Sequence, residues 1–260
     1  MGKTFLLTID LEEFERTRDD RRFSLSKQGL EALSALLTQH NILATFFTTA
    51  AFATKYPDEV KTLSDAHEIA LHALYHGDNY RTMEVGEAGA RLAEAKKALE
   101  NITTKEIIGF RAPQMQAPAM NILKEIGIRY DSSLHPTYVP GRYSHHKETM
   151  DIHDVEGVVR VPVSVTPKLR MAYSWIWFRM GGVWYAKQCT KATEKKKEFV
   201  TIYFHPWDFV DLRKEEGISW VYARNTNKSL IMLERYLLWL KDRGYNFSTM
   251  GGYLREKEFI

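Results

Sequence analysis

The chain has 260 residues, 44% of them hydrophobic and 27% charged, which suits a globular fold with a substantial core. A formal net charge of +3 and the lack of any dense Lys/Arg block argue against nucleic acid as a partner, since Lys195, Lys196 and Lys197 sit between Glu194 and Glu198 as on a solvated face. One cysteine, Cys189, excludes an intrachain disulfide, and no window approaches the roughly 18 apolar residues of a membrane span.

Residues 3–9 form a short apolar run ending in Asp10, Leu11, Glu12 and Glu13. This predicts a buried strand that delivers carboxylates at its C-terminal end, the edge where active sites of parallel α/β folds collect. The run turns acidic too soon for a signal peptide, so the expected location is the cytoplasm. Ser26 is the expected cap of a helix running to about His40, with Leu30, Leu33, Leu36 and Leu37 at helical spacing. Residues 42–48 predict a second strand, and Pro57 marks a helix start with Val60 and Leu63 facing inward. A third strand is expected over 67–71, with His72 and His76 just past its end.

A helix over about 85–99 places Leu92, Ala95 and Leu99 on one face. Residues 107–110 predict a fourth strand leading into Arg111, Ala112 and Pro113. A helix over about 119–126 stops at Gly127, and a short strand at 128–130 precedes Asp131, Ser132 and Ser133. From Leu134 to about Lys195 the pattern loosens, apart from an apolar stretch at 171–178. It returns at 199–204, a strand ending in His205, Pro206, Trp207 and Asp208. An amphipathic helix over about 228–242 and a last strand at 244–248 complete the chain. Strands alternating with helices imply βαβ units and a parallel sheet or barrel. A single domain over 1–260 is expected, with a less regular insertion at about 135–195.

Four strand ends thus carry polar groups suited to one reaction centre: Asp10 with Glu12, His72 with His76, Arg111, and His205. The two histidines are four apart, so on a helical turn they would share a face and grip one metal ion. Two imidazoles and a carboxylate make a three-ligand catalytic zinc set that leaves a position for water. The metal would lower the pKa of that water and polarise a carbonyl. A second carboxylate could take the proton, a histidine opposite could protonate the leaving group, and an arginine could hold the base ionised.

The order of these motifs resembles the polysaccharide deacetylase family, the NodB-homology or carbohydrate esterase family 4 domain. Thr8-Ile9-Asp10-Leu11-Glu12 resembles its first motif, and the stretch from His67-Glu68-Ile69 to His72 and His76 its metal-binding second. Gly109-Phe110-Arg111-Ala112-Pro113, Tyr130-Asp131-Ser132-Ser133 and Phe204-His205-Pro206-Trp207 are similar to the third, fourth and fifth. The resemblance implies a distorted (β/α) barrel of about seven strands and hydrolysis of an N-acyl group, usually acetyl, from an amino sugar. It implies Asp10 as general base, Arg111 as its orienter, and His205 as general acid. His72 and His76 become ligands of a divalent metal, with zinc first and cobalt, nickel or manganese also compatible with N/O donors. Pro113, Asp131, Ser132 and Trp207 are where substrate is expected, and a backbone N–H near 131–134 is the expected oxyanion donor.

The chain departs from the family pattern at Leu11, which stands where the usual carboxylate ligand does. Glu12 is assigned to the metal instead, as in the sugar-lipid deformylases and in branches with an Asp-x-Asp or Asp-x-Glu first motif. On an extended strand Asp10 and Glu12 share a face. The usual glycine of the third motif is replaced by Gln114-Met115, and the aspartate–tryptophan pair of the fourth is missing. The orienter of His205 is therefore open, with Asp131 a candidate that could equally cap a turn. His67 is expected to cap the strand start, while His145, His146 and His153 are expected in loops. The aromatic segment 173–185 has two readings: core under a long loop, or a substrate lip that stacks on sugar or contacts a membrane surface. An amidohydrolase of non-sugar C–N bonds, such as an allantoinase-like enzyme, and an inactive glycan-binding module are the competing functions. Retention of Asp10, His72, His76, Arg111 and His205 argues against the last.

Overall fold

Every residue of Thr4–Leu11 is buried, the state of a strand covered on both faces, and its near-continuous apolar run is the sequence cause. In this computed structural model, which describes residues 2–14 and 20–260, that strand is β1. The remaining residues of the expected domain lie outside the described ones. Further strands are β2 (Ala44–Thr49), β3 (Glu68–Ala73), β4 (Gly109–Phe110), β5 (Tyr130–Asp131), β6 (Tyr138–Val139) and β7 (Tyr143–Ser144). They are followed by β8 (His153–Val155), β9 (Val158–Arg160), β10 (Phe199–Phe204) and β11 (Asn246–Phe247). The helices are α1 (Arg21–Gln39), α2 (Ala50–Lys55), α3 (Pro57–Ala66), α4 (Val85–Thr103) and α5 (Met120–Glu125). Then come α6 (Trp175–Thr193), α7 (Trp220–Ala223), α8 (Thr226–Asp242) and α9 (Met250–Glu256).

The main sheet has the order β10-β1-β2-β3-β4-β5-β9-β8, and β11 pairs with β1. From β10 to β9 each pairing is parallel, which gives seven parallel strands along that path among the described residues, and β11 is parallel to β1 as an eighth. Only β8 runs antiparallel to its neighbour, while β6 and β7 form a separate hairpin. The sheet curls until its ends approach. Past β9, the Ser164 N–H donates to the Thr201 carbonyl at 2.9 Å, and the Thr201 N–H donates to Ser164 Oγ at 3.0 Å. This is the distorted (β/α) barrel that the sequence led us to expect.

Register decides where chemistry gathers. Asp10 pairs with Phe47 and Leu11 with Thr48, Thr48 with Leu71, and Leu71 with Phe110. The C-terminal ends of β1 to β4 are therefore level. Leu30, Leu33 and Leu37 of α1 and Leu92, Ala95 and Leu99 of α4 are buried in the core against the strands.

Four local expectations change. His153, expected in a loop, opens β8 and pairs with Arg160 of β9. Ser26 does not cap α1, which begins at Arg21; it is buried within the helix and its hydroxyl donates to the Glu12 carbonyl. His72 lies inside β3 and His76 on the following turn, so the pair is presented by a strand end and not by one helical face. Finally, α6 occupies a stretch read as irregular. Its aromatic and glycine-rich sequence lacks a clear helical period, and Gly182, at φ 75°, breaks it in the middle.

Candidate functional site

Alternation along β1 separates two roles. Leu11 is fully buried in the core, whereas Asp10 and Glu12 both line one cavity of about 250 Å³. The residue that replaces the family carboxylate thus faces hydrophobic packing, and the next one faces the site. Glu12 Oε2 lies 2.9 Å from His72 Nε2 and 3.2 Å from His76 Nε2. Its other oxygen lies 3.6 Å from His205 Nε2.

The tautomer of His72 follows from its other nitrogen. Nδ1 is 2.6 Å from the Arg111 carbonyl, and a carbonyl can only accept, so Nδ1 carries the proton. In a neutral ring Nε2 is then an acceptor facing a carboxylate, a contact that a shared cation or a second ring proton must bridge. A carbonyl holding the far nitrogen of a histidine is also the usual support of a metal ligand. Among the described residues no three His, Cys, Asp or Glu side chains are arranged as around a metal ion; Glu12 lies directly against the two imidazoles. Donors about 2.0–2.2 Å from a tetrahedral ion stand about 3.3–3.6 Å apart. The two Glu12–histidine separations fall a few tenths of an ångström short of that, and two imidazoles with a carboxylate are the donor types of a divalent metal site.

Glu13, to which the sequence reading gave no role, steadies this arrangement. Its carboxylate accepts from the His76 N–H and from the Thr49 hydroxyl, both at 3.1 Å. It thereby ties the His76 turn to the end of β2. The acidic run 10–13 was its only signal.

Beside these groups Arg111 is fully buried. It donates through Nη1 to Asp10 Oδ1 at 2.7 Å and to Thr8 Oγ1 at 2.8 Å, and through Nε to the Ser132 carbonyl at 3.1 Å. Its plane lies over the Phe47 ring at 4.2 Å. Burial alone would push the Asp10 carboxyl up, but Arg111, His72 and His205 outweigh it and hold Asp10 below the usual carboxylate range.

On the other side, His205 is clamped between neighbours. Trp207 stacks flat on it, centroids 4.3 Å apart and 14° between planes, and Trp175 meets it edge-on at 5.0 Å. Asp208 Oδ2 accepts from the His205 N–H at 2.9 Å and lies 3.3 Å from Nδ1. The other Asp208 oxygen is 3.0 Å from Nε of Arg179, and both side chains are fully buried. Arg179, from α6, also donates to the carbonyls of Tyr222 and Arg224. Asp208 thus holds the place left open beside His205. The sequence analysis missed it, although its position three residues after the histidine, closing a one-turn capping box, was a signal; Arg179 had none. Gly29 lets α1 press on this turn, since a Cβ there would sit 1.8 Å from the Pro206 carbonyl oxygen.

The sequence-predicted residues divide accordingly. Asp10, Glu12, His72, His76, His205 and Trp207 share the cavity, and Arg111 supports it from behind. Asp131 does not orient His205: its Oδ2 is 2.9 Å from Arg160 Nε and its Oδ1 accepts from Ser133. Ser132 is spent on Arg111 and on the Val161 carbonyl. Pro113 is buried at the start of a single helical turn; Pro113, Asp131 and Ser132 are absent from the described cavity lining. His67 caps α3, donating its N–H to the Leu63 carbonyl. The aromatic segment divides: Tyr173 and Phe178 belong to the core, while Trp175, Ile176 and Trp177 line the cavity. Arg142, Tyr143 and Tyr222 complete its rim.

Residues 3–130 match the model of a family described as polysaccharide deacetylase. Over 102 residues, 38% of this chain, the sequence is 31% identical to the chitooligosaccharide deacetylase of Azorhizobium caulinodans. The matched part spans 48% of that relative's length. The fold is similar to that of Puue allantoinase, with a TM-score of 0.65 at 16% identity over 97% of this chain and 88% of that one. It is also similar to the Xyl-CE4 domain of a multidomain xylanase from the hindgut metagenome of Trinervitermes trinervoides. There the TM-score is 0.59 at 14% identity, covering 99% of this chain and 92% of that one.

Proposed function

We propose that this chain, which belongs to the polysaccharide deacetylase family through residues 3–130, is a metal-dependent hydrolase that removes an N-acyl group, acetyl first, from an amino sugar. The sugar would belong to a polysaccharide, an oligosaccharide or a lipid-linked saccharide. The observation that carries this reading is the meeting of Glu12 with His72 and His76 in the cavity that Asp10 and His205 also line.

Glu12, His72 and His76 would hold the ion, which when bound supplies a Lewis acid for the acyl oxygen and acidifies water. Asp10 takes the proton from the attacking water, and Arg111 keeps it ionised and aimed. His205 gives a proton to the departing amine. Asp208 fixes the imidazole through Nδ1, leaving Nε2 on the cavity side. Trp175 and Trp207 pack around His205 and exclude water from it. The allantoinase-like reading shares the fold but has no separate observation in its favour.

The test is metal content together with acetate release from N-acetylated sugars, for the wild type and Glu12→Ala. About one metal per chain in the wild type, acetate release, and loss of both in the variant would support the reading. A variant that kept its metal would remove Glu12 from the ligand set. A wild type inactive on every N-acyl sugar, with metal bound, would overturn the substrate class.

A further inference from the structure

Glu13 carries a charge that its neighbours do not explain. The buried acids among the described residues are Asp10, Glu12, Glu13, Asp78, Asp131 and Asp208. All but Glu13 lie against a cation or an imidazole. Arg111 holds Asp10, Arg91 holds Asp78, Arg160 holds Asp131 and Arg179 holds Asp208, while Glu12 meets His72 and His76. Glu13 is only 3% exposed. Among the described residues its carboxylate meets neutral donors alone, the backbone N–H of His76 and the hydroxyl of Thr49.

Hydrogen bonding does not call for a charge at this place. A glutamine could accept from the His76 N–H through its oxygen and donate to Thr49 Oγ1 through its nitrogen, since a hydroxyl serves either way. A buried carboxylate without a counter-ion is costly, and a second carboxylate nearby adds repulsion. Glu12 is that second carboxylate, next in the chain, and both line the cavity with His72 and His76. Imidazoles that bind a metal are neutral, so the histidines offer Glu13 no balancing charge. Arg142, the arginine of the described lining, is exposed at the rim, where solvent screens it. The counter-charge that this end of the cavity lacks is the divalent ion proposed above.

We infer that Glu13 is a positioning residue for the metal, whose charge is balanced by the ion that Glu12, His72 and His76 would hold. Its two oxygens stay on the His76 N–H and on Thr49, so it acts by fixing the His76 turn and by attracting the cation, without being a ligand. Groups that support a ligand in this way are worth about 10- to 100-fold in metal affinity. The inference rests on the metal site of the hydrolytic reading. It adds that the metal-free protein keeps an unbalanced buried charge, which binding relieves.

The experiment compares the full chain with its Glu13→Gln variant at pH 7. Zinc affinity is measured against a competing chromophoric chelator, and melting temperature in EDTA and in excess zinc. The variant should bind zinc about 10- to 100-fold more weakly. Stripped of metal, it should melt above the stripped wild type, because the unbalanced charge is gone, and zinc should then raise its melting temperature by less. A glutamate that only tied the turn to β2 would move neither quantity in this direction, since an amide keeps the tie. Equal zinc affinity in the two proteins overturns the inference and leaves the hydrolytic reading standing. So does a variant that melts below the wild type in EDTA, or one that binds no zinc at all, which would make Glu13 a ligand. A wild type that takes up neither zinc nor cobalt, nickel or manganese overturns the inference together with the metal-dependent reading beneath it.

Discussion

Arg111 Nη1 lies 2.7 Å from Asp10 Oδ1, with the arginine side chain fully buried and the aspartate nearly so. A buried pair of this kind is weak evidence of net stabilisation, but its two halves depend on each other. The arginine also holds Ser132 at the end of the neighbouring β5, so one side chain joins the proposed base on β1 to the third and fourth motifs.

Arg111→Met is therefore expected to cost about 3–5 kcal/mol, the usual penalty for leaving one buried charge alone. The sign of its pH dependence can be worked out. Asp10 is held below its unfolded value of 3.8, so its stabilising contribution is present above that value and is lost as pH falls through the folded one. Without Arg111 the carboxyl titrates upward and becomes neutral in mild acid. Urea denaturation at pH 7 and pH 4 should then show a larger deficit at pH 7. Equal deficits at both would mean that Asp10 is not the partner that matters.

Asp208→Asn tests the clamp on His205. An amide keeps the size and can still accept the His205 N–H, but it removes the carboxylate from Nδ1 and from Arg179. With general acid catalysis worth about 10²–10⁴ in rate, kcat should fall by roughly 100-fold while KM changes little. The variant should also melt lower, because Arg179 is left buried without its counter-ion. Full kcat with a lowered melting temperature would reduce Asp208 to a structural role.

Gly29→Ala pits two effects against each other. In an exposed helix the change would favour folding by about 1 kcal/mol. Here the new methyl would stand 1.8 Å from the Pro206 carbonyl oxygen, an overlap that must push α1 from the turn carrying His205. Overpacking of about 1–3 kcal/mol should win. A lower melting temperature is expected, and a higher one would show that the turn yields freely.

Much of this centre was legible because parallel strands bring their ends together. The apolar runs of β1, β3 and β10 end in Asp10 and Glu12, in His72, and in His205, and those residues meet around one cavity. The placement of the histidine pair was less so. Spacing by four suits a helix, yet His72 is on a strand and His76 reaches Glu12 from a turn whose N–H Glu13 accepts. Arg179 could not be read at all. Its contact with Asp208 depends on α6, whose period is hidden by aromatic residues and a glycine kink. Asp131 misled for the opposite reason: the local sequence suited an orienting carboxylate, but Arg160 from β9 claims it.

His135 supplies a pH dependence away from the proposed ligands. It is fully buried, its Nδ1 is 2.9 Å from the Tyr143 hydroxyl, and burial above all, with Arg111 and His145, pushes its pKa down to about 3. Between that value and the unfolded 6.5 the unfolded chain binds the proton and the folded one does not. Stability is thus lost as pH falls below 6.5, by about 2 kcal/mol at pH 5 relative to pH 8. His135→Gln removes the titration, so its melting temperature should change less between pH 8 and pH 5 than that of the wild type. Two parallel curves would mean that His135 is solvated or protonated in the folded state. A steeper wild-type curve would establish it as a neutral prop behind Tyr143, one of the residues that line the cavity.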